Sequence, residues 1–231
     1  MKITYIHHSG FSVELDSCIL LFDYFQGNIP YFDKNKKLYV FSSHSHHDHF
    51  NKSIFKMEET HPDVTYILSN DINAPKSENI KLMGSNERLL IDDLRVETLE
   101  SSDLGVAFIV RVENKTIYHA GDLNWWHWEG ELSDEENKAM GDKYKHEINK
   151  IKGMTFDLAF IPLDSRQGLQ YYLGFDTFMK NTNTKAAFPM HIWKTYRVID
   201  MLINSEHAVE YKDRIFKISK DNEEFIINET H

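Results

Sequence analysis

Residues 38–49 read LYVFSSHSHHDH. An apolar run, LYVF, gives way to two serines and then to four histidines and an aspartate within six positions, 44–49. The first part has the length and composition of a short buried strand, and the histidines begin where it runs out. In an extended segment side chains alternate between faces, so His44 and His46 point the same way. A turn after His46 swings Asp48 and His49 toward a second nearby point, whereas His47 faces away from its neighbours. Imidazole nitrogen and carboxylate oxygen suit zinc and other borderline divalent ions. One loop at a strand end could thus serve two metals side by side; a solvated histidine-rich loop is the alternative.

Working outward, the flanking sequence is rich in short apolar or alternating runs. Strands are expected at 2–6, 11–15, 18–22 and 38–41, at 64–69, and through the middle at 79–83, 88–91, 94–100, 105–112 and 115–120, with turn residues between them. A helix is expected over 51–59, capped by Asn51 or Ser53. Beyond 122 the character changes. A polar Glu/Lys-rich helix (133–151) precedes a buried strand (156–163), a helix (175–182), a strand (186–191), an amphipathic helix (195–206) and edge strands at 215–219 and 224–228. This order implies a layered α/β (α+β) fold.

The chain has 231 residues and no recognisable linker, so one domain over 1–231 is expected. With 26 Lys+Arg against 36 Asp+Glu, its formal charge is −10, which argues against nucleic acid held through phosphate neutralisation. The lone Cys18 sits in the apolar run CILLF and reads as a small buried hydrophobe. The N-terminus lacks the apolar segment of a signal peptide, and no apolar run approaches the ~18 residues of a membrane helix. A cytoplasmic protein without membrane contact is the expectation. Composition leaves oligomeric state open, including a homo-oligomer.

The pattern HxHxDH after an apolar strand resembles the signature of the metallo-β-lactamase superfamily. KTIYHAGDLN (115–124) looks like that family's strand ending in a glycine and a metal-bridging aspartate, here Asp122, and KAAFPMHIW (185–193) like its late strand ending in the last ligand histidine, here His191. YIHHSGFSVE (5–14) followed by ILLFDYF (19–25) is similar to the branch containing L-ascorbate-6-phosphate lactonase and many uncharacterised hydrolases. The resemblance spans residues 3 to about 195. It implies a four-layer αββα sandwich, two mixed sheets flanked by helices, with the site at one edge. It also implies that His44 and His46 hold one metal, that Asp48, His49 and His191 hold another, and that Asp122 bridges. The reaction implied is hydrolysis by a metal-bound hydroxide, with Asp48 orienting the nucleophile or taking its proton. Zn2+ is the expected ion, one or two per chain, with Mn2+, Fe or Ni2+ as alternatives.

One departure from the family pattern concerns the first metal. Its expected third histidine is missing from VETLESSDLGVAF (96–108), where Ser102 and Asp103 are the candidate replacements. His119 lies inside its strand and reads as core or as support for the ligands. Asp23 is a candidate to orient a ligand ring, and His8 could line the pocket. The run NWWHWEG (124–130) would give an aromatic wall through Trp125 and Trp126. Asp164 or Arg166 in PLDSRQG could contact substrate, and Arg166, Lys194 and Arg197 could bind an anionic group. These features point to a hydrolase of a small, anionic or neutral ester, lactone or phosphodiester. The alternatives are a phosphodiesterase or ribonuclease of the same superfamily, or a non-catalytic metal-binding protein. A di-iron oxidoreductase has only Asp103, a carboxylate in place of histidine, in its favour.

Overall fold

The computed structural model describes residues 1–228. Strands β1 (Lys2–His7), β2 (Gly10–Glu14) and β3 (Cys18–Phe22) form an antiparallel meander, to which β4 (Lys37–Ser42), β5 (Val64–Ser69) and β6 (Ile80–Met83) add in parallel. A second meander follows: β7 (Arg88–Ile91), β8 (Leu94–Glu100), β9 (Val106–Val112) and β10 (Lys115–His119). Then come α1 (Asp134–Lys150), β11 (Thr155–Phe156), β12 (Leu158–Pro162), α2 (Leu173–Asn181), β13 (Asn183–Thr184), β14 (Ala187–Met190), α3 (Arg197–Ile203) and β15 (Glu223–Ile226). One mixed sheet has the order β15-β1-β2-β3-β4-β5-β6, the other β14-β12-β10-β9-β8-β7, and β11 pairs β13 separately.

Alternation along the strands builds two cores. Leu20, Phe22, Tyr39, Phe41 and Ile67 face inward and meet Phe108, Phe160 and Phe188 of the other sheet in one cluster. Phe22 and Phe41 stack at 4.7 Å, and Phe11 lies 4.3 Å from Phe160. Each such fully buried ring contributes about 2 kcal/mol of transfer free energy. The outward residues Ile19, Leu21, Leu38, Val40, Tyr66 and Leu68 form a second, smaller cluster with Ile54 and Met57. Helix α1 is closed by a capping box in which Ser133 and Glu136 exchange side-chain-to-backbone bonds.

Two elements differ from the sequence expectation. The segment after Asn51 is a 3-10 helix, Lys52–Glu59, and Asn51 caps it by accepting from the Ser53 N–H. Its buried residues, Ile54 and Met57, are three apart, the period of a 3-10 rather than an α-helix. The layer over that sheet face is accordingly thin. The expected strand at 215–219 is reduced to a single bridge between Ile215 and Ala187. The Phe216 N–H bonds the Ala187 carbonyl at 2.8 Å, and further on the Ser219 and Lys220 N–H groups are caught by the Glu223 carboxylate in the turn before β15.

Parallel pairing sets the position of everything chemical. β10, β12 and β14 run side by side, and Asp122, Asp164 and His191 follow closely on their carboxyl ends. In the facing sheet, β1, β3 and β4 share a direction, and His8, Asp23 and the 44–49 loop follow their ends. All six segments emerge at one edge of the sandwich. Two glycines let the loops close on one another there. At Gly105 (φ 74°) a Cβ would fall 2.0 Å from the Ser43 carbonyl oxygen, and at Gly121 (φ 52°) it would fall 2.6 Å from the Ser43 Cβ.

Candidate metal centre

The loop after β4 is fixed before its histidines act. The Asp23 carboxylate, fully buried, accepts from the Ser43 N–H (2.7 Å), the Ser43 hydroxyl (2.6 Å) and His49 Nδ1 (2.7 Å). The Ser43 hydroxyl has donated its one proton, so its 3.0 Å contact with His44 requires Nδ1–H as donor. Asp71 accepts from the Ser45 N–H at 2.8 Å and sets the turn between His44 and His46. Across the site, Asp164 accepts from His191 Nδ1 at 2.9 Å. In His44, His49 and His191, Nδ1 is therefore the protonated nitrogen, and Nε2 presents its lone pair to the cavity.

These Nε2 atoms converge on Asp122. One carboxylate oxygen lies 3.4 Å from His44 Nε2; the other lies 3.1 Å from His49 Nε2 and 3.5 Å from His191 Nε2. His49 Nε2 and Asp122 Oδ1 are buried and satisfy no hydrogen bond. His44 Nε2 also faces His46 Nδ1 at 3.0 Å. Where these Nε2 lone pairs face the Asp122 oxygens at such distances, they repel unless a proton or a cation lies between them. The donor atoms form two tight groups, each within 4.8 Å: His44, His46 and Asp122, and His8, Asp48, His49 and His191. Three to four nitrogen and oxygen donors per group fit a divalent ion.

The protonation energetics agree. Burial alone would hold the His49 ring neutral, but Asp122 and Asp23 on either side outweigh it and push its pKa well above the usual range. Burial opposes ionisation of Asp122, yet His49 and His191 hold its carboxyl well below the usual range. Asp48 is likewise lowered, burial being outweighed by His8 and His49. Burial drives His44 down to about 4 and His8 down to about 3. A positive charge is thus favoured at His49 and disfavoured at His44 and His8.

The residues singled out in the sequence fall in several places. Donor atoms of His44, His46, Asp48, His49, Asp122 and His191 fall within the two tight groups, and the Asp23 carboxylate, a candidate to orient a ligand ring, accepts from His49 Nδ1. His8 lies deeper than the pocket wall expected for it. Its ring is fully buried between His191 (4.2 Å) and Trp193 (4.0 Å), both ring nitrogens lack hydrogen bonds, and Nε2 is 3.4 Å from Asp48. Asp103 stands at the rim, half-exposed, 3.9 Å from His46 Nδ1 and outside both tight groups. Ser102 cannot face the site, since its hydroxyl is consumed by backbone at Asn124 (2.6 Å) and Asp122 (3.1 Å). His119 is core: stacked on Phe22, it donates from Nε2 to the Ser9 carbonyl.

The tryptophans divide. Trp126 and Trp128 stack at 5.7 Å and line the cleft, Trp126 with its edge to His191 and its N–H on the Asp122 carbonyl. Trp125 is not part of the wall. It packs beneath α1 against Gly141, with the Lys145 ammonium 3.8 Å from its ring. The cleft, about 270 Å³, is also lined by Met140 and Arg166. Of the three basic candidates only Arg166 lines it; Lys194 pairs with Asp221 at 3.6 Å. The roles of Ser43 and Asp71 escaped sequence reading, as did the bond from Asp164 to His191. The only signal was their position one to three residues beyond a strand end.

The profile of the family described as "Beta-lactamase superfamily domain" matches residues 2–143, more than half of the chain. The chain belongs to the metallo-β-lactamase superfamily. A UPF0173 metal-dependent hydrolase of Nanoarchaeum equitans is 33% identical over 216 residues, covering 86% of each chain. Another, from Opitutus terrae, is 29% identical over 142 residues, 53% of this chain and 63% of that one. Among solved structures, a metallo hydrolase from Ignicoccus hospitalis superposes with a TM-score of 0.62 at 16% identity, covering 98% of this chain and 99% of that one. That superposition supports the sandwich of mixed sheets with flanking helices. Among the described residues no helix is long and apolar enough to cross a membrane.

Proposed function

We propose that this metal-dependent hydrolase of the metallo-β-lactamase superfamily acts on a small ester, lactone or phosphodiester. In this reading the residues of 1–231 work as one domain and hold one or two divalent ions, zinc by donor type, with Mn2+, Fe or Ni2+ as alternatives. The observation that carries it is the Asp122 carboxylate, one oxygen facing His44 and the other facing His49 and His191. His8, Asp48, His49 and His191 would hold one ion, His44 and His46 the other, and Asp122 would bridge them.

A bound divalent ion supplies a water whose pKa falls from ~15.7 toward ~7, and it polarises the substrate oxygen. The chain does the rest. Asp23, Ser43 and Asp164 fix the three buried rings in the tautomer that offers Nε2. Asp48 lines the cleft with Oδ2 turned toward His8, His49 and His191, and besides holding an ion it would orient the nucleophile. Trp126 and Trp128 form an apolar wall that orients the substrate and limits water. The cleft's volume and the charge of −10 favour a small molecule over RNA. The free, buried Cys18, its thiol pushed up to about 12 by burial, suits a reducing compartment such as the cytoplasm.

A non-catalytic metal-binding role has one supporting observation: among the described residues no third imidazole joins His44 and His46. Metal analysis and a panel of 4-nitrophenyl esters, lactones and bis(4-nitrophenyl) phosphate separate the two. One to two ions per chain are expected, with hydrolysis abolished by chelation and restored by the metal. Metal without turnover on any compound favours the binder; no metal uptake overturns both.

A further inference from the structure

Arg166 is held as few surface arginines are. Asp164 accepts from its backbone N–H (2.8 Å) and from its Nε–H (3.0 and 2.9 Å), and pairs with Nη2 as well. The same carboxylate carries the Nδ1–H of His191. The guanidinium lies near two indoles, 5.7 Å from the Trp128 ring, which lines the cleft, and 5.5 Å from the Trp193 ring. Of its five N–H donors Asp164 takes two, and no other described side chain or carbonyl bonds the remaining three. Arg166 therefore contributes to the cleft, beside Asp48 and Asp122, a cation whose side chain is ordered in advance and whose hydrogen-bonding capacity is more than half unspent. Ordering an arginine normally costs rotamer entropy on binding; here the fold has already met that cost. The unspent edge is the bidentate geometry that matches a carboxylate or a phosphate.

We propose that Arg166 is the specificity-determining residue of the cleft, and that the substrate carries an oxyanion, a carboxylate or phosphate, next to the scissile bond. This rests on the hydrolase reading above and narrows it to anionic esters and lactones. The oxyanion takes the free guanidinium edge, and the two indoles pack the substrate's apolar atoms.

Binding, rather than turnover, tests this. Metal-loaded protein is titrated calorimetrically with monomethyl succinate, an anion, and with dimethyl succinate, its neutral counterpart. Wild type should prefer the anion by about tenfold or more. Arg166→Gln should erase that preference while retaining wild-type metal content. Arg166→Lys, which keeps charge without the fork, should retain part of it; it also serves if the glutamine variant does not fold. With monomethyl phosphate as a third probe, tighter binding than the succinate identifies phosphate as the preferred oxyanion, and weaker binding identifies carboxylate. Equal affinity of wild type for the two succinates, or an undiminished preference in Arg166→Gln, overturns the proposal. Failure of the hydrolase reading would instead show as wild-type protein that takes up no metal.

Discussion

The two halves of the candidate metal centre are built to different standards. In one half His8, Asp48, His49 and His191 are all buried, and each of His49 and His191 is tied through Nδ1 to a carboxylate. In the other, His44 is buried and tied through Ser43, but the ring of His46 is 46% exposed and Asp103 sits at hydrogen-bonding range of nothing in either group. A donor whose orientation is fixed in the metal-free protein loses little entropy when an ion arrives. A donor that swings in solvent loses more. The difference teaches that one edge of a sandwich can present a preorganised donor group and a looser one with nearly the same donor types.

Breaking what both halves share should have the largest effect. Asp122→Asn removes the charge that faces three rings, and hydrolysis should fall by about 10³-fold or more, with metal content reduced in both groups. Metal analysis and steady-state rates read this out; an active, fully loaded Asn variant would contradict the bridging reading. Next comes the support of the buried half. Asp23→Asn should weaken metal affinity by about 10- to 100-fold with the fold retained by circular dichroism. A smaller effect is expected on the exposed half. His46→Ala should leave one ion per chain bound while the second is lost, and an Asp103→Ala variant should bind the second ion within about threefold of wild type. Equal losses from both halves on His46→Ala would erase the contrast. The smallest change belongs to Trp125→Phe, whose ring lies under α1: KM should stay within about twofold, with a loss of about 1 kcal/mol in denaturant unfolding.

Much of this edge was legible in the sequence, because its signals are local. LYVF followed by HSHHDH states a strand end and a donor loop in twelve residues, and alternation of apolar residues marks most strands of both sheets. Where the reading failed, the deciding partner lay far along the chain. Asp164 meets His191 across 27 residues, and Asp23 meets Ser43 across 20. Trp125 and Trp126 are adjacent and identical in type; only the position of α1, with Gly141 opposite, sends one ring under the helix and leaves the other in the cleft. The expected strand at 215–219 failed for a local reason instead: the Glu223 carboxylate, four residues on, takes the Ser219 N–H.

Ser43 is the plate against which the neighbouring loops are pressed, and that has a consequence for how the chain tolerates change. At positions 105 and 121 a single added carbon has nowhere to go, and the backbone there already lies where branched residues strain. A saturation library at either position should return glycine almost alone, even when the screen asks for folded protein and ignores catalysis. Mutational drift around this centre must therefore run through the donors and the cleft wall, while the two hydrogens that let the loops meet stay as they are.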